Sequence, residues 1–127
     1  MIAGIGVDLV DQNRIARLLK DYGVRFVERV LASGELQAYH ASARPVAFLA
    51  NRFAAKEALS KALGTGLRYP VTLHSISLVS DEIGRPELRF HGDLPGYLVR
   101  RGIVHSHLSL TDESGFACAM VVLESGK

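Results

Sequence analysis

Pro45 and Gly64 bracket the segment that most limits how this chain folds, "PVAFLANRFAAKEALSKALG". Proline suits the first turn of a helix, where its missing N–H has no partner to lose, and glycine accepts the left-handed backbone that stops one. The spacing predicts one long helix from Pro45 to about Leu63. Steps of ~100° per residue place Leu49, Phe53, Leu59 and Leu63 on a broad apolar arc. Arg52 and Lys56 fall inside that arc, while Phe53, Glu57 and Lys61 run along its edge, each a turn apart. Two explanations stand. Either Glu57 and Lys61 form a surface pair of ~0.3–0.5 kcal/mol while Arg52 and Lys56 extend their charges to water, or the helix edge meets a charged ligand.

The glycines beyond the helix sharpen that choice. One glycine stops a helix, yet Gly64-Thr65-Gly66 supplies two. Such a loop lets backbone N–H groups approach an anion, as phosphate-cradling nests do. It is not a Walker A loop, because Gly-Lys-Ser/Thr is missing and the glycines follow the helix instead of opening it. Asp8, inside the apolar run "MIAGIGVDLV", is a second anomaly. Read alone it is a turn or cap carboxylate; if the first strand packs on the long helix, Asp8 and Glu57 converge. Two carboxylates do not complete a calcium cage. They suit Mg2+, which fills its octahedron with water and phosphate oxygens. Nearby cations and a glycine loop then point to a diphosphate-bearing substrate.

The remaining pattern is α+β. The opening run reads as a buried strand with close backbone approach at Gly4 and Gly6. Asp11 can cap a helix from about Gln12 to Asp21, with Ile15, Leu18 and Leu19 on one face and Arg14, Arg17 and Lys20 opposite. Shorter helical pieces follow around Val24 to Leu31 and from Ser33. "SISLVS" and "PELRFHG" are strand candidates joined by "DEIGRP", then comes a short helix around Leu94 to Arg101. "HLSLT" and "FACAMVVLE", split by "DESG", close the chain as a hairpin.

With 127 residues and 48% hydrophobic composition, the sequence supports one domain over residues 1–127, large enough for a core without disulfide or structural metal. Cys118, the single cysteine, reads as a small buried strand residue. One cysteine excludes an internal disulfide framework and fits a reducing cytoplasm. No basic region precedes the first apolar stretch, so no secretory signal is expected, and no run nears the ~18 apolar residues of a membrane span. The net charge of +2 permits an acidic partner on one face without demanding nucleic acid. His105 and His107 share a strand face with no third ligand, so zinc is not expected.

Four blocks in order, "GIGVDLV", "RFAAKEALSKALGTG", "GRPEL" and "HLSLTDESGFACAMVV", closely resemble the bacterial holo-acyl-carrier-protein synthases, the short class of 4'-phosphopantetheinyl transferases. The resemblance spans essentially the whole chain and implies that family's fold, one long helix packed on a small, largely antiparallel sheet. It also implies an activity: the phosphopantetheine arm of coenzyme A moves to a serine of apo-acyl carrier protein, releasing adenosine 3',5'-bisphosphate, in the service of fatty acid synthesis. By motif match Asp8 and Glu57 hold Mg2+ and are catalytic with Lys61, which lies by the reacting phosphates. The implied coenzyme contacts are Arg44, Arg52, Ser60, Lys61, Gly64, Thr65, Pro86 and His107. Family members are typically trimers with the coenzyme between protomers, so Arg44, Pro86 and His107 would act on a neighbour's site.

Attack of a serine hydroxyl on phosphorus needs positive charge on the non-bridging oxygens and a base for the proton. Glu57 and a metal-bound water relayed by a carboxylate are both candidates for that base. Arg14 and Arg17, with Arg25 beyond, could meet an acidic carrier protein. Many relatives have a second histidine where this chain has Asp112, which reads here as a turn residue opening "DESG". The competing classes are a non-catalytic module binding coenzyme A or an acidic protein, against which the intact Asp8, Glu57 and Lys61 favour an enzyme, and a nucleic-acid binder, which has no use for the carboxylates.

Overall fold

A computed structural model describes residues 1–126. β1 (Ile2–Asp11) passes directly into α1 (Gln12–Tyr22), whose first turn is capped by the Asp11 carboxylate accepting from the Asn13 N–H at 2.9 Å. Gly23 breaks the chain into α2 (Val24–Val30). A 3-10 turn at Ser33–Glu35 leads into α3 (Leu36–Ala41), and then α4 runs over Pro45–Leu63. Gly64 ends α4 at φ 76°, so both predicted limits of the long helix hold.

β2 (Ile76–Ser80) and β3 (Pro86–Phe90) form an antiparallel hairpin, the second and smaller of two sheets. After α5 (Leu94–Arg100), β4 (Ile103–Glu113) and β5 (Phe116–Ser125) join β1 in an antiparallel sheet of order β1-β5-β4. The final hairpin is longer than its sequence pattern suggested. Its turn is Ser114-Gly115, both at positive φ.

α4 is the axis of the core. It packs on β1 and β5, and on its other sides meets α1, α2, α3 and β2. A single apolar arc therefore understates its burial: Ala50, Ala54, Ala55, Ala58 and Ala62 are buried along with Leu49, Leu59 and Leu63. Small residues are needed where β1 crosses. A Cβ on Gly4 would lie 2.0 Å from the Ala62 carbonyl oxygen, and one on Gly6 2.0 Å from that of Ala58. The close approach expected at these glycines is thus backbone against backbone.

Strand alternation sends Gly4, Gly6, Asp8 and Val10 toward α4 and Ile5, Val7 and Leu9 away from it. The outward face is apolar and bare: Ile5, Val7, Leu9 and Met120 are 50–69% exposed. Register places Val7 beside Met120 and Leu9 beside Cys118. Cys118 belongs to this face and is half-buried, which corrects the expectation of a buried thiol; the core positions beside it are Ala117 and Ala119.

Candidate active site

The packing of β1 on α4 brings Asp8 to the helix edge that carries Glu57 and Lys61. The Lys61 ammonium donates to Asp8 Oδ1 at 2.9 Å and to the Val7 carbonyl at 3.2 Å. The pairing read from sequence, Glu57 with Lys61, is replaced by this cross-element bond. Burial holds the Glu57 carboxyl above its ordinary pKa, and the charge of Asp8 adds to the effect; Lys61 and Arg14 oppose it. Two carboxylates thus share a site with one ammonium. Among the described residues no group of three His, Cys, Asp or Glu side chains could hold a metal. A donor set of two carboxylates fits Mg2+, which takes its other ligands from water and phosphate, and does not fit a closed calcium cage.

The helix end beside this group differs from the nest expected there. The N–H groups of Gly64, Thr65 and Gly66 turn back onto the carbonyls of Lys61 and Ser60, at 3.0–3.3 Å, so they terminate α4 and are not free for an anion. Ser60 is buried, with its hydroxyl donating to the Glu57 carbonyl at 2.7 Å. Gly64 and Thr65 nevertheless border a cavity of about 270 Å³ whose other walls include Arg68, Tyr69 and Tyr97.

A second group lies toward the start of α4. Arg52 and Pro86 line a cavity of about 330 Å³ together with Asn51 and Asp112. The Arg52 guanidinium sits 3.6 Å from the centroid of the Phe48 ring, with Nε 3.8 Å from Glu35 Oε2. Burial pushes the Arg52 pKa down and Glu35 counters it. Asp112 lies within β4, two residues before the turn, and its side chain faces inward. It accepts from Asn51 Nδ2 at 3.2 Å and stands 4.0 Å from Arg44 Nη1. The reading of Asp112 as the turn opener is therefore corrected: the strand continues through it because its inward position is occupied by a polar partner from α4. His107 is on the outward face of β4, with Nε2 2.5 Å from Glu124 Oε1; this contact holds the Glu124 carboxyl below its usual range. Lys61 follows Arg44 by 17 residues, about 25 Å along a helix rising ~1.5 Å per residue. The residues named from sequence thus divide into two separate groups.

A third feature is a groove of about 610 Å³ between α1, α2 and the middle of α4. Arg14 and Arg25 line it, as does Arg29, which sequence reasoning missed although it follows Arg25 by one turn of α2. Arg17 is not among the lining residues. Ile15, Leu18 and Phe26 give the groove an apolar floor, and Arg14 lies 5.9 Å from the centroid of Phe53, one turn before Glu57. One wall of the groove is therefore a single helical turn from Glu57.

Lys56 departs furthest from expectation. Instead of reaching water, its ammonium is fully buried and donates to Val30 O at 2.8 Å, Glu35 Oε1 at 2.6 Å and Leu73 O at 2.9 Å. All three of its hydrogens are used. Burial lowers the Lys56 pKa, and the charge and hydrogen bond of Glu35 oppose that shift.

Residues 4–121 match the sequence profile of the 4'-phosphopantetheinyl transferase superfamily. The chain is 51% identical over 124 residues to a holo-[acyl-carrier-protein] synthase of Nitrosospira multiformis, covering 98% of this chain and 99% of that protein. It is similar to the crystal structure of a holo-[acyl-carrier-protein] synthase from Neisseria meningitidis, with a TM-score of 0.96 and 42% identity, covering 98% and 100% of the two chains. A Bacillus anthracis holo-(acyl-carrier-protein) synthase in complex with CoA (3',5'-ADP) gives a TM-score of 0.83 and 38% identity, covering 99% of each chain.

Proposed function

The chain belongs to the 4'-phosphopantetheinyl transferase superfamily, and we infer that it is an enzyme making holo-acyl carrier protein. The 4'-phosphopantetheine group of coenzyme A passes to a serine hydroxyl of the apo-carrier: a serine O–P bond forms, the P–O bond to the bridging pyrophosphate oxygen breaks, and adenosine 3',5'-bisphosphate leaves. The observation that carries this reading is the meeting of Asp8 with Lys61 at the α4 edge that holds Glu57, whose carboxyl feels the charge of Arg14, a wall of the groove.

Asp8 and Glu57 are the residues that would hold Mg2+, which when bound supplies positive charge to the pyrophosphate oxygens. Lys61 is about half exposed and can turn from Asp8 to a phosphate oxygen, where its charge stabilises the transition state. The serine proton leaves toward one carboxylate of the pair, directly or through one water. Arg14, Arg25 and Arg29 orient an acidic carrier along the groove, with Phe26 and Leu18 available to its apolar contacts.

The active unit is read as a homotrimer, the number following the resemblance drawn from sequence. Two features support a neighbour's participation. Arg44 stands about 25 Å along α4 from Lys61, Arg52 and Pro86 line a cavity that Lys61 does not border, and His107 is on the sheet face away from α4. The bare face of Ile5, Val7, Leu9 and Met120 offers an apolar surface for a second copy. No helix among the described residues is long and apolar enough to cross a membrane; the lone cysteine supports a cytoplasmic setting.

Incubating the chain with coenzyme A, Mg2+ and apo-acyl carrier protein should add phosphopantetheine to the carrier, read by its mass, and EDTA should stop the reaction. An unchanged mass with a competent carrier overturns the enzyme reading. Light scattering should give three times the 13.8 kDa of one chain; a monomer that is fully active overturns the shared site.

A further inference from the structure

Glu35 and Lys56 take no part in the chemistry above, yet the most heavily bonded buried charges of the fold are theirs. Glu35 Oε1 accepts from Lys56 Nζ and from the Ala32 N–H at 3.0 Å, while Oε2 accepts from the Leu78 N–H at 3.0 Å and faces Arg52. Lys56 adds the carbonyls of Val30 and Leu73. These partners sort into two sets. Val30 and Leu73 are walls of the arginine-lined groove, and Leu78 and Arg52 are walls of the cavity that holds Pro86 and Asp112. One buried ion pair therefore holds a piece of each binding surface.

We propose that Glu35 and Lys56 are positioning residues that fix the carrier groove and the nucleotide cavity in register with each other. The physical reason is directionality. Apolar side chains resist separation but tolerate sliding, whereas five hydrogen bonds of 2.6–3.0 Å converging on two buried groups fix both distance and angle. The ion pair itself adds little to stability, since desolvating both charges offsets most of their attraction. Its effect lies in the angle at which α2 and β2 meet α4. The inference rests on the transferase reading, because register matters only if both surfaces serve one reaction. Transfer is sensitive to it, as displacing reacting groups by about 1 Å can cost ~10²-fold in rate.

The test is the double variant Glu35→Gln/Lys56→Met, which removes both charges at near-constant volume. Folding is checked by circular dichroism and thermal melting. Affinities are measured by calorimetry with 3',5'-ADP and with apo-carrier protein separately, and kcat from carrier mass. The expected result is a folded protein whose two dissociation constants stay within about threefold of the parent while kcat falls roughly ten- to a hundredfold. A purely structural pair would lower the melting temperature and leave kcat per folded molecule intact. That outcome overturns the proposal, as does a loss of kcat matched by weaker binding of both ligands. If the double variant does not fold, Lys56→Gln, whose amide is too short to reach all three partners, is read by the same criteria. If the parent chain does not load the carrier, the transferase reading fails first; an active parent with an equally active variant removes only the positioning role.

Discussion

Lys56 and Lys61 stand five residues apart on α4, and each meets a carboxylate, yet the two pairs are built for opposite ends. Lys56 and Glu35 are sealed in the core with every hydrogen of the ammonium bonded. Lys61 and Asp8 meet at an edge where the lysine side chain is 54% exposed and the aspartate 13%. A sealed pair cannot release a charge to a ligand without leaving its partner unpaired in the interior. An open pair can, because water or phosphate replaces the lost contact. One helix thus separates a charge that fixes how its neighbours meet it from a charge left open to solvent.

Breaking each pair should expose this difference. Lys56→Ala leaves the Glu35 carboxylate buried without its ammonium, and urea unfolding should show a loss of about 3–5 kcal/mol. Lys61→Ala should change stability by less than about 1 kcal/mol but lower kcat for carrier loading roughly 10²- to 10³-fold. If the two variants lose stability equally, the contrast fails. Arg14→Glu should raise the carrier KM about tenfold while leaving that of coenzyme A unchanged; a parallel rise in both would mean that the groove and the carboxylate site are not separable. Glu57→Gln should abolish transfer and, in metal-free buffer at neutral pH, stabilise the fold by less than about 1 kcal/mol. The sign follows from the raised Glu57 pKa: the folded chain binds this proton more tightly than the unfolded one, so ionisation at high pH costs stability. The gap between variant and parent should therefore close as pH falls through the folded pKa of Glu57.

The members of the open pair stood out in the sequence, although Lys61 was paired there with Glu57 and not with Asp8; the sealed pair was not legible at all. Asp8, Glu57 and Lys61 are polar residues in apolar patterns, and the two glycines of β1 signalled the contact that brings them together. The end of α4 was legible too, because glycine chemistry is local. Glu35 gave no comparable signal, being 21 residues from Lys56 within a short 3-10 turn. Lys56 itself looked able to reach water, since helical periodicity does not say whether a second layer covers the arc. Asp112 was misplaced for a similar reason: "TDESG" has turn composition, but the partners that keep it in the strand come from α4. The bare sheet face was hidden because β1 is apolar on both faces, a pattern that also describes a strand buried on both sides.

Positions 4 and 6 act on the far end of this design. Each glycine carries a hydrogen where any other residue would place a carbon against the α4 backbone. A methyl at either would lift β1 from the helix, and Asp8 rides on the same strand face. The gap between Asp8 and Glu57 is thereby gauged at a distance, by two atoms too small to be replaced, on residues that carry no side chain of their own.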